Sequence, residues 1–217
     1  MKGGFVTLEG IEGAGKTTVA AALIALLEQR GYAVQATREP GGTPLAEQLR
    51  GILLSRGSET ISPVAETLLM FAARSVHIEN RIRPALARGE WIICDRYTDA
   101  TRAYQGAGRS VDAGWIEQLA KEVHAGVEPD LTLLLDLPVV VGLERARQRR
   151  VARGEMVMDR FESQAIEFFE RVRRAYLQLA AAAPQRFVVI DATQPLEAVI
   201  NAAQAALSDT LTRSGEV

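Results

Sequence analysis

Gly10-Ile11-Glu12-Gly13-Ala14-Gly15-Lys16-Thr17 satisfies the pattern G-x-x-x-x-G-K-[ST] at every defined position. Before it lies the apolar run Phe5-Val6-Thr7-Leu8, and after it the helical pattern Thr18–Leu27, so the octapeptide sits where a strand hands over to a helix. Its three glycines open backbone angles closed to other residues. Consecutive N–H groups can then converge on phosphate oxygens, helped by the positive end of the following helix. Lys16 is placed to reach the β- and γ-phosphates of a nucleotide, and the Thr17 hydroxyl to ligate a Mg²⁺ that bridges them. Gly10, Ile11, Glu12, Gly13, Ala14, Gly15, Lys16, Thr17 and Thr18 are therefore the expected ATP-binding residues.

Outward from this loop, short apolar runs alternate with longer helical patterns, the signature of βα units around a parallel sheet. Phe5–Leu8, Ala33–Thr37, Trp91–Cys94, Leu131–Leu135 and Phe187–Ile190 read as five strands. The intervening crossover helices are Thr17–Gln29, Leu45–Leu54, Pro63–Arg88 and Ala113–Ala125; Pro138–Arg149, Glu162–Ala183 and Leu196–Leu211 follow downstream. No linker or repeat divides the 217 residues, so the expectation is a single domain over 1–217. With 25 Lys+Arg against 27 Asp+Glu, the chain carries no bulk electrostatic footprint for nucleic acid or anionic lipid. A single cysteine, Cys94, leaves no internal disulfide, and no apolar stretch approaches the ~18–20 residues of a membrane span. The composition reads as cytoplasmic.

The third strand candidate runs into Asp95-Arg96-Tyr97, placing a carboxylate at the carboxyl edge of the sheet, where open α/β proteins bind ligands. Asp95 could hold the Mg²⁺ directly or through water, and Arg96 could bring two phosphates together; the alternative is a plain surface ion pair. Asp136, after the fourth strand, is the second-ranked acid because no arginine follows it. Arg38-Glu39-Pro40-Gly41-Gly42 ends the second strand in a rigid turn, with Arg38 a candidate ligand for an acceptor phosphate. The guanine-reading Asn-Lys-x-Asp is missing, since Asn80 precedes Arg81 and Asn201 precedes Ala202, which disfavours a GTPase.

Four segments in order carry a family resemblance: Glu9 to Thr18, Thr37 to Gly42, Leu69-Met70-Phe71-Ala72-Ala73-Arg74, and Asp95-Arg96-Tyr97 continuing to Ala103-Tyr104-Gln105-Gly106. Over nearly its whole length the chain resembles the bacterial thymidylate kinases, which transfer the ATP γ-phosphate to dTMP. The resemblance implies that Phe71 stacks on thymine, that Arg74 bonds the base, that Thr101 and Gln105 line its edge, and that Tyr104 crowds the sugar 2′ position. It places Glu12 near the acceptor sugar 3′-hydroxyl, Glu162 near the nucleotide or metal, and the catalytic arginine in a lid. It also implies a homodimer. From the residues alone, Phe71 and Arg74 share a helix face at i, i+3, an arrangement equally suited to a buried aromatic beside a surface arginine.

Between 145 and 160, six arginines face only Glu155 and Asp159, a local balance of +4 in a chain of −2. Such a segment, hinged at Gly154, could fold over ATP, exclude water and neutralise transition-state charge; the other reading is a solvated helix face. Arg149 and Arg153 are the arginines singled out. His77 and His124 lack metal-ligand spacing, and Cys94, Trp91 and Trp115 read as packing. The expectation is an α/β three-layer fold of the P-loop NTP hydrolase kind, with a five-stranded parallel sheet, helices on both faces and an Arg-rich lid. It would transfer phosphate in line from Mg-ATP to dTMP, with Lys16, Arg96 and a lid arginine stabilising charge. The competing readings are a deoxynucleoside kinase and a non-catalytic ATP-dependent switch.

Overall fold

The computed structural model describes residues 3–55, 59–152, 154, 160 and 164–213. Five strands, β1 Phe5–Glu9, β2 Val34–Arg38, β3 Trp91–Asp95, β4 Leu131–Asp136 and β5 Phe187–Asp191, form one sheet in the order β2-β3-β1-β4-β5. Every pairing is parallel. Each strand runs to a charged residue (Glu9, Arg38, Asp95, Asp136, Asp191), so all five deliver a charge to the carboxyl edge. The apolar runs are buried because helices cover both faces, as a parallel sheet requires: Phe5, Val6, Leu8, Trp91, Ile92, Ile93, Leu131, Leu133 and Leu135 are all nearly inaccessible.

Helices α1 Lys16–Gln29, α2 Pro44–Leu54 and α3 Pro63–His77 follow the first two strands. Thr43 and Ser62 cap α2 and α3 by accepting from Ala46 N and Ala65 N, each with a proline at the first turn, where its missing N–H costs nothing. The single helix expected over Pro63–Arg88 is interrupted by a π-helical turn, Ile78–Ile82, before α4 Arg83–Ala87. The cause is Pro84, which has no N–H to give the preceding turn and whose ring would meet the Asn80 carbonyl.

A second π-helical stretch, Arg102–Gly108, continues the short α5 Thr98–Thr101. Neither is evident in the sequence as an element. The remaining helices are α6 Ala113–His124, α7 Val139–Ala152, α8 Ile166–Ala182 and α9 Leu196–Arg213. The first residues of the helix expected from Glu162 lie outside the described residues.

Two close approaches set the geometry above the sheet. A Cβ on Gly13 would stand 2.0 Å from the Gly142 carbonyl oxygen, and one on Gly142 would stand 2.5 Å from the Glu12 carbonyl oxygen. Only two glycines let α7 lie directly against the loop after β1. Among the described residues no helix is long and apolar enough to cross a membrane.

Candidate active site

The loop Gly10–Gly15 turns between β1 and α1 through positive φ at Gly10, Gly13 and Gly15. Lys16 folds back into it, its Nζ donating to the Gly10 and Ile11 carbonyls at 3.0 Å each. Burial, reinforced by the nearby Arg96 charge, pulls the Lys16 ammonium down to about 8, against the attraction of Asp95, Glu12 and Glu9. Glu12, Gly13, Ala14, Gly15, Lys16 and Thr17 line one end of a pocket. Gly10 and Ile11 serve that wall from beneath through the carbonyls that hold Lys16, and Thr18 lies exposed on α1.

At the end of β3, Asp95 also lines this pocket, and its Oδ1 is buried with no partner among the described residues. An orphaned carboxylate oxygen in the pocket that Thr17 also lines suits a hard cation that keeps most of its ligands as water and phosphate oxygen. No group of three or more His, Cys, Asp or Glu among the described residues forms a metal cage.

Arg96 departs from β3 with φ 71°, a left-handed conformation costly for a residue with a Cβ. Three bonds hold it there. Its N–H donates to Leu8 O at 3.0 Å, its carbonyl accepts from the Cys94 thiol at 3.0 Å, and the next amide, Tyr97 N–H, donates to Glu9 Oε1 at 2.7 Å. The guanidinium, so aimed, donates to Gly10 O at 3.0 Å, Glu12 Oε1 at 2.9 Å and the Tyr104 hydroxyl at 3.1 Å, and lies 5.0 Å over the Tyr104 ring. Tyr104 in turn donates to the Glu12 carboxylate at 2.9 Å.

Glu9 lies fully buried below, with Tyr176 donating to its Oε2 at 2.7 Å. Burial and the nearby Asp99 raise its carboxyl to about 8, against the hydrogen bonds from Tyr176 and Tyr97 and the Arg96 charge. The site thus disfavours the charged form of Glu9 relative to an ordinary carboxylate.

The opposite end of the pocket is built on α3, the turn after β2 and the second π-helical stretch. Arg74 is 2% exposed. It donates to Glu39 Oε2 at 2.7 Å, to Tyr97 O at 3.1 Å and to Thr101 Oγ1 at 3.0 Å. Its Nη1 has no partner among the described residues. The other Glu39 oxygen binds His77 Nδ1 at 2.9 Å, and His77 Nε2 meets the Thr37 hydroxyl at 2.7 Å. Burial opposes the charge on Glu39, but Arg74 and His77 outweigh it and hold the carboxyl below its usual range. Arg74, Thr101, Tyr104 and Gln105 all line the pocket.

Phe71 is buried with Ile116 and Ala120 behind this wall; the Arg74 guanidinium rests 4.9 Å over its ring, and Met70 is the neighbour that lines the cavity. Arg149, exposed on α7, completes the lining. Arg153 and Glu162 lie outside the described residues. Arg38 is turned away from this pocket: its side chain is 55% exposed and paired to Glu47 at 3.0 Å, in an adjoining groove. The basic residue that lines the pocket near β2 is Arg50, whose Nη1 donates to the Pro40 carbonyl at 2.8 Å.

Glu39, Arg50, Gly142 and the Glu9–Tyr176 pair went unassigned on the sequence. The Glu39–Arg74 bond spans 35 residues and the Glu9–Tyr176 bond 167, beyond any local pattern. Only Gly142 left a trace, as a glycine among helix-forming neighbours.

The five-strand order, the loop between β1 and α1, and the pocket at the carboxyl edge define an α/β protein of the P-loop NTPase kind. The family model described as thymidylate kinase matches residues 8–203. Curated relatives named thymidylate kinase include those of Pseudomonas putida strain GB-1, 54% identical over 92% of each chain, and of Pseudomonas entomophila, 53% identical over 98% of this chain and 99% of that one. The crystal structure of thymidylate kinase from Ehrlichia chaffeensis superposes with a TM-score of 0.73 at 31% identity, covering 97% of this chain and 99% of the other. The chain belongs to the thymidylate kinase family.

Proposed function

We propose that this enzyme transfers the γ-phosphoryl group of Mg-ATP to dTMP, giving ADP and dTDP. The observation that carries the reading is one pocket that joins a phosphate-binding loop to a wall of pyrimidine-edge donors and acceptors. ATP phosphates lie along Gly13–Thr17, with Lys16 exchanging its two loop carbonyls for phosphate oxygens. Thr17 and Asp95 would hold the Mg²⁺, which when bound would supply charge neutralisation for the transferring phosphoryl group.

The acceptor enters from the opposite side. Arg74, Thr101 and Gln105 face the base, Phe71 backs that wall beneath the Arg74 guanidinium, and Tyr104 closes the sugar 2′ side. Arg96, held in its strained backbone, bridges donor and acceptor phosphates, with Glu12 beside the acceptor sugar. Arg50 and Arg38 add positive charge at the β2 side, and Arg149 closes the mouth. The lid is assigned to about 145–160 of a single-domain chain, with Arg153 its second candidate arginine and Glu162 a candidate just past it, both outside the described residues. Positioning and electrostatics carry this chemistry, since the phosphoryl group needs little covalent help.

The enzyme acts as a cytoplasmic homodimer. Leu45 and Ile52 on α2 and Val64 and Leu68 on α3 are half exposed, on two helices packed against each other, which gives a second copy an apolar face to cover. Sedimentation of the wild type and Leu68→Glu checks this, with the variant expected to be monomeric.

The test of the activity is ADP release coupled to product identification, with Mg-ATP and a panel of dTMP, dUMP, UMP, CMP, GMP, AMP and thymidine. Preferential formation of dTDP is expected. Turnover of thymidine would assign a deoxynucleoside kinase, and ATP binding without acceptor turnover a switch.

A further inference from the structure

Behind the base-side wall lies a carboxylate with no part in phosphate binding. Glu66, on α3, is 1% exposed. Its Oε1 accepts from Gln105 Nε2 at 2.7 Å, and its Oε2 from Arg160 Nη2 at 2.5 Å. Arg109 Nε stands 3.5 Å from Oε1. Two guanidinium groups and the Gln105 amide face this carboxylate, which offers them oxygens that accept hydrogen bonds.

The orientation of Gln105 follows. Its amide must present NH₂ to Glu66, so the group it has left to offer the pocket it lines is the carbonyl Oε1, an acceptor. Arg74, on the same wall, offers the opposite character: its Nη1 is a buried donor with no partner among the described residues. One donor and one acceptor side by side match the O4 and N3–H of thymine or uracil. Cytosine presents an amino group and a bare N3 at those positions, so it meets donor with donor and acceptor with acceptor.

We propose that Glu66 is a positioning residue which locks the Gln105 amide with its carbonyl toward the pocket and so sets selectivity for an N3–H pyrimidine over cytosine. The inference rests on the reading of the site as a dTMP pocket. Without Glu66 the amide is free to turn over, and the wall then accommodates either pattern.

The experiment compares kcat/KM for dTMP, dUMP and dCMP in the wild type, Glu66→Gln, Gln105→Ala, Arg160→Gln and the Glu66→Gln/Gln105→Ala double variant, with thermal melts to check folding. A glutamine at 66 can donate as well as accept, so both orientations of Gln105 become available. The dTMP:dCMP ratio is expected to fall about tenfold in Glu66→Gln, the worth of one hydrogen bond. The dTMP:dUMP ratio and the KM for ATP should hold, because both acceptors carry N3–H. In the Gln105→Ala background the Glu66 substitution should add nothing further.

A Glu66→Gln enzyme with the wild-type ratio overturns the proposal, as does an equal fall in Arg160→Gln or a fall that persists without Gln105. Should Glu66→Gln not fold, Glu66→Asp retains the charge but withdraws it from Gln105, and the same fall is expected. A wild type that phosphorylates dCMP as readily as dTMP overturns the dTMP assignment together with this one. A wild type selective for dTMP whose variants stay equally selective overturns the role of Glu66 alone.

Discussion

The two ends of the pocket are built by opposite means. At the phosphate end, two of the charged groups are loosely satisfied: Lys16 rests on the carbonyls of its own loop, and Asp95 Oδ1 has no partner among the described residues. At the base end, the side chains that face the pocket are gripped from behind, Arg74 by Glu39 at 2.7 Å and Gln105 by Glu66 at 2.7 Å. A polyphosphate and its cation bring strong charge of their own and can displace weak internal contacts, so the donor end need only supply complementary charge. A base is neutral and is told from its relatives by the direction of two hydrogen bonds, so the acceptor end has to be rigid before the ligand arrives.

Removing charge at the donor end should have the largest effect. Lys16→Ala or Arg96→Ala is expected to lower kcat by ~10²-fold or more, with the fold retained, as read by steady-state kinetics alongside circular dichroism. Near-normal turnover in either variant would remove that residue from the mechanism.

Loosening the acceptor end should act on binding instead. Glu39→Gln deprives Arg74 and His77 of their shared carboxylate, and the KM for dTMP is expected to rise about tenfold while the KM for ATP stays within about twofold. Equal changes in both constants would erase the division between the two ends.

A smaller effect sharpens the electrostatic side of the comparison. Burial pulls the Lys16 ammonium from its ordinary 10.5 down to about 8, and phosphate oxygens in place of carbonyls should favour the charged form. ATP binding should then take up protons above pH 8, and affinity should weaken as pH rises. Calorimetry at pH 8.5 in two buffers of different ionisation enthalpy measures the uptake, which Lys16→Ala should abolish.

The smallest effect concerns Glu9, which underlies both ends through Tyr97. Its folded pKa of about 8 lies above the ordinary 4.5, so the folded state binds the proton more tightly than the unfolded chain does. The stabilisation this gives is fully present below pH 4.5 and is lost as pH rises through about 8. Urea midpoints should fall between pH 5 and 8.5 in the wild type. In Glu9→Gln, which stays neutral throughout, that fall should be shallower.

How far the sequence reaches depends on how local each feature is. β1, the loop and α1 are contiguous, and their pattern is legible because each residue's role is set by neighbours a few positions away. The three central strands β1, β3 and β4 were legible as apolar runs because both faces of a parallel sheet are buried there, and the half-exposed edge strands β2 and β5 by their place in the βα alternation. Each ran one residue further than hydrophobicity suggested, since backbone pairing continues past the last apolar side chain to the charged edge. The helix over Pro63–Arg88 was legible as helical but not as broken. Whether Pro84 ends a helix or is absorbed in a π-helical turn depends on the packing of Ile78 and Ile82, both fully buried.

By itself the sequence determined the phosphate-binding loop, the βα alternation, and the acid and arginine at the end of β3, because these follow from periodicity and short-range spacing. The family motifs carried Arg74, Thr101, Tyr104 and Gln105 to the acceptor side, and the structure brings all four to one wall. Only the tertiary structure decided that Arg50 rather than Arg38 faces the pocket, that Arg96 is held in a left-handed conformation, and that Glu39 and Glu66 bond Arg74 and Gln105 on the pocket wall. The Glu39 and Glu66 bonds join residues 35 and 39 positions apart, and no local rule relates such partners until the chain has folded.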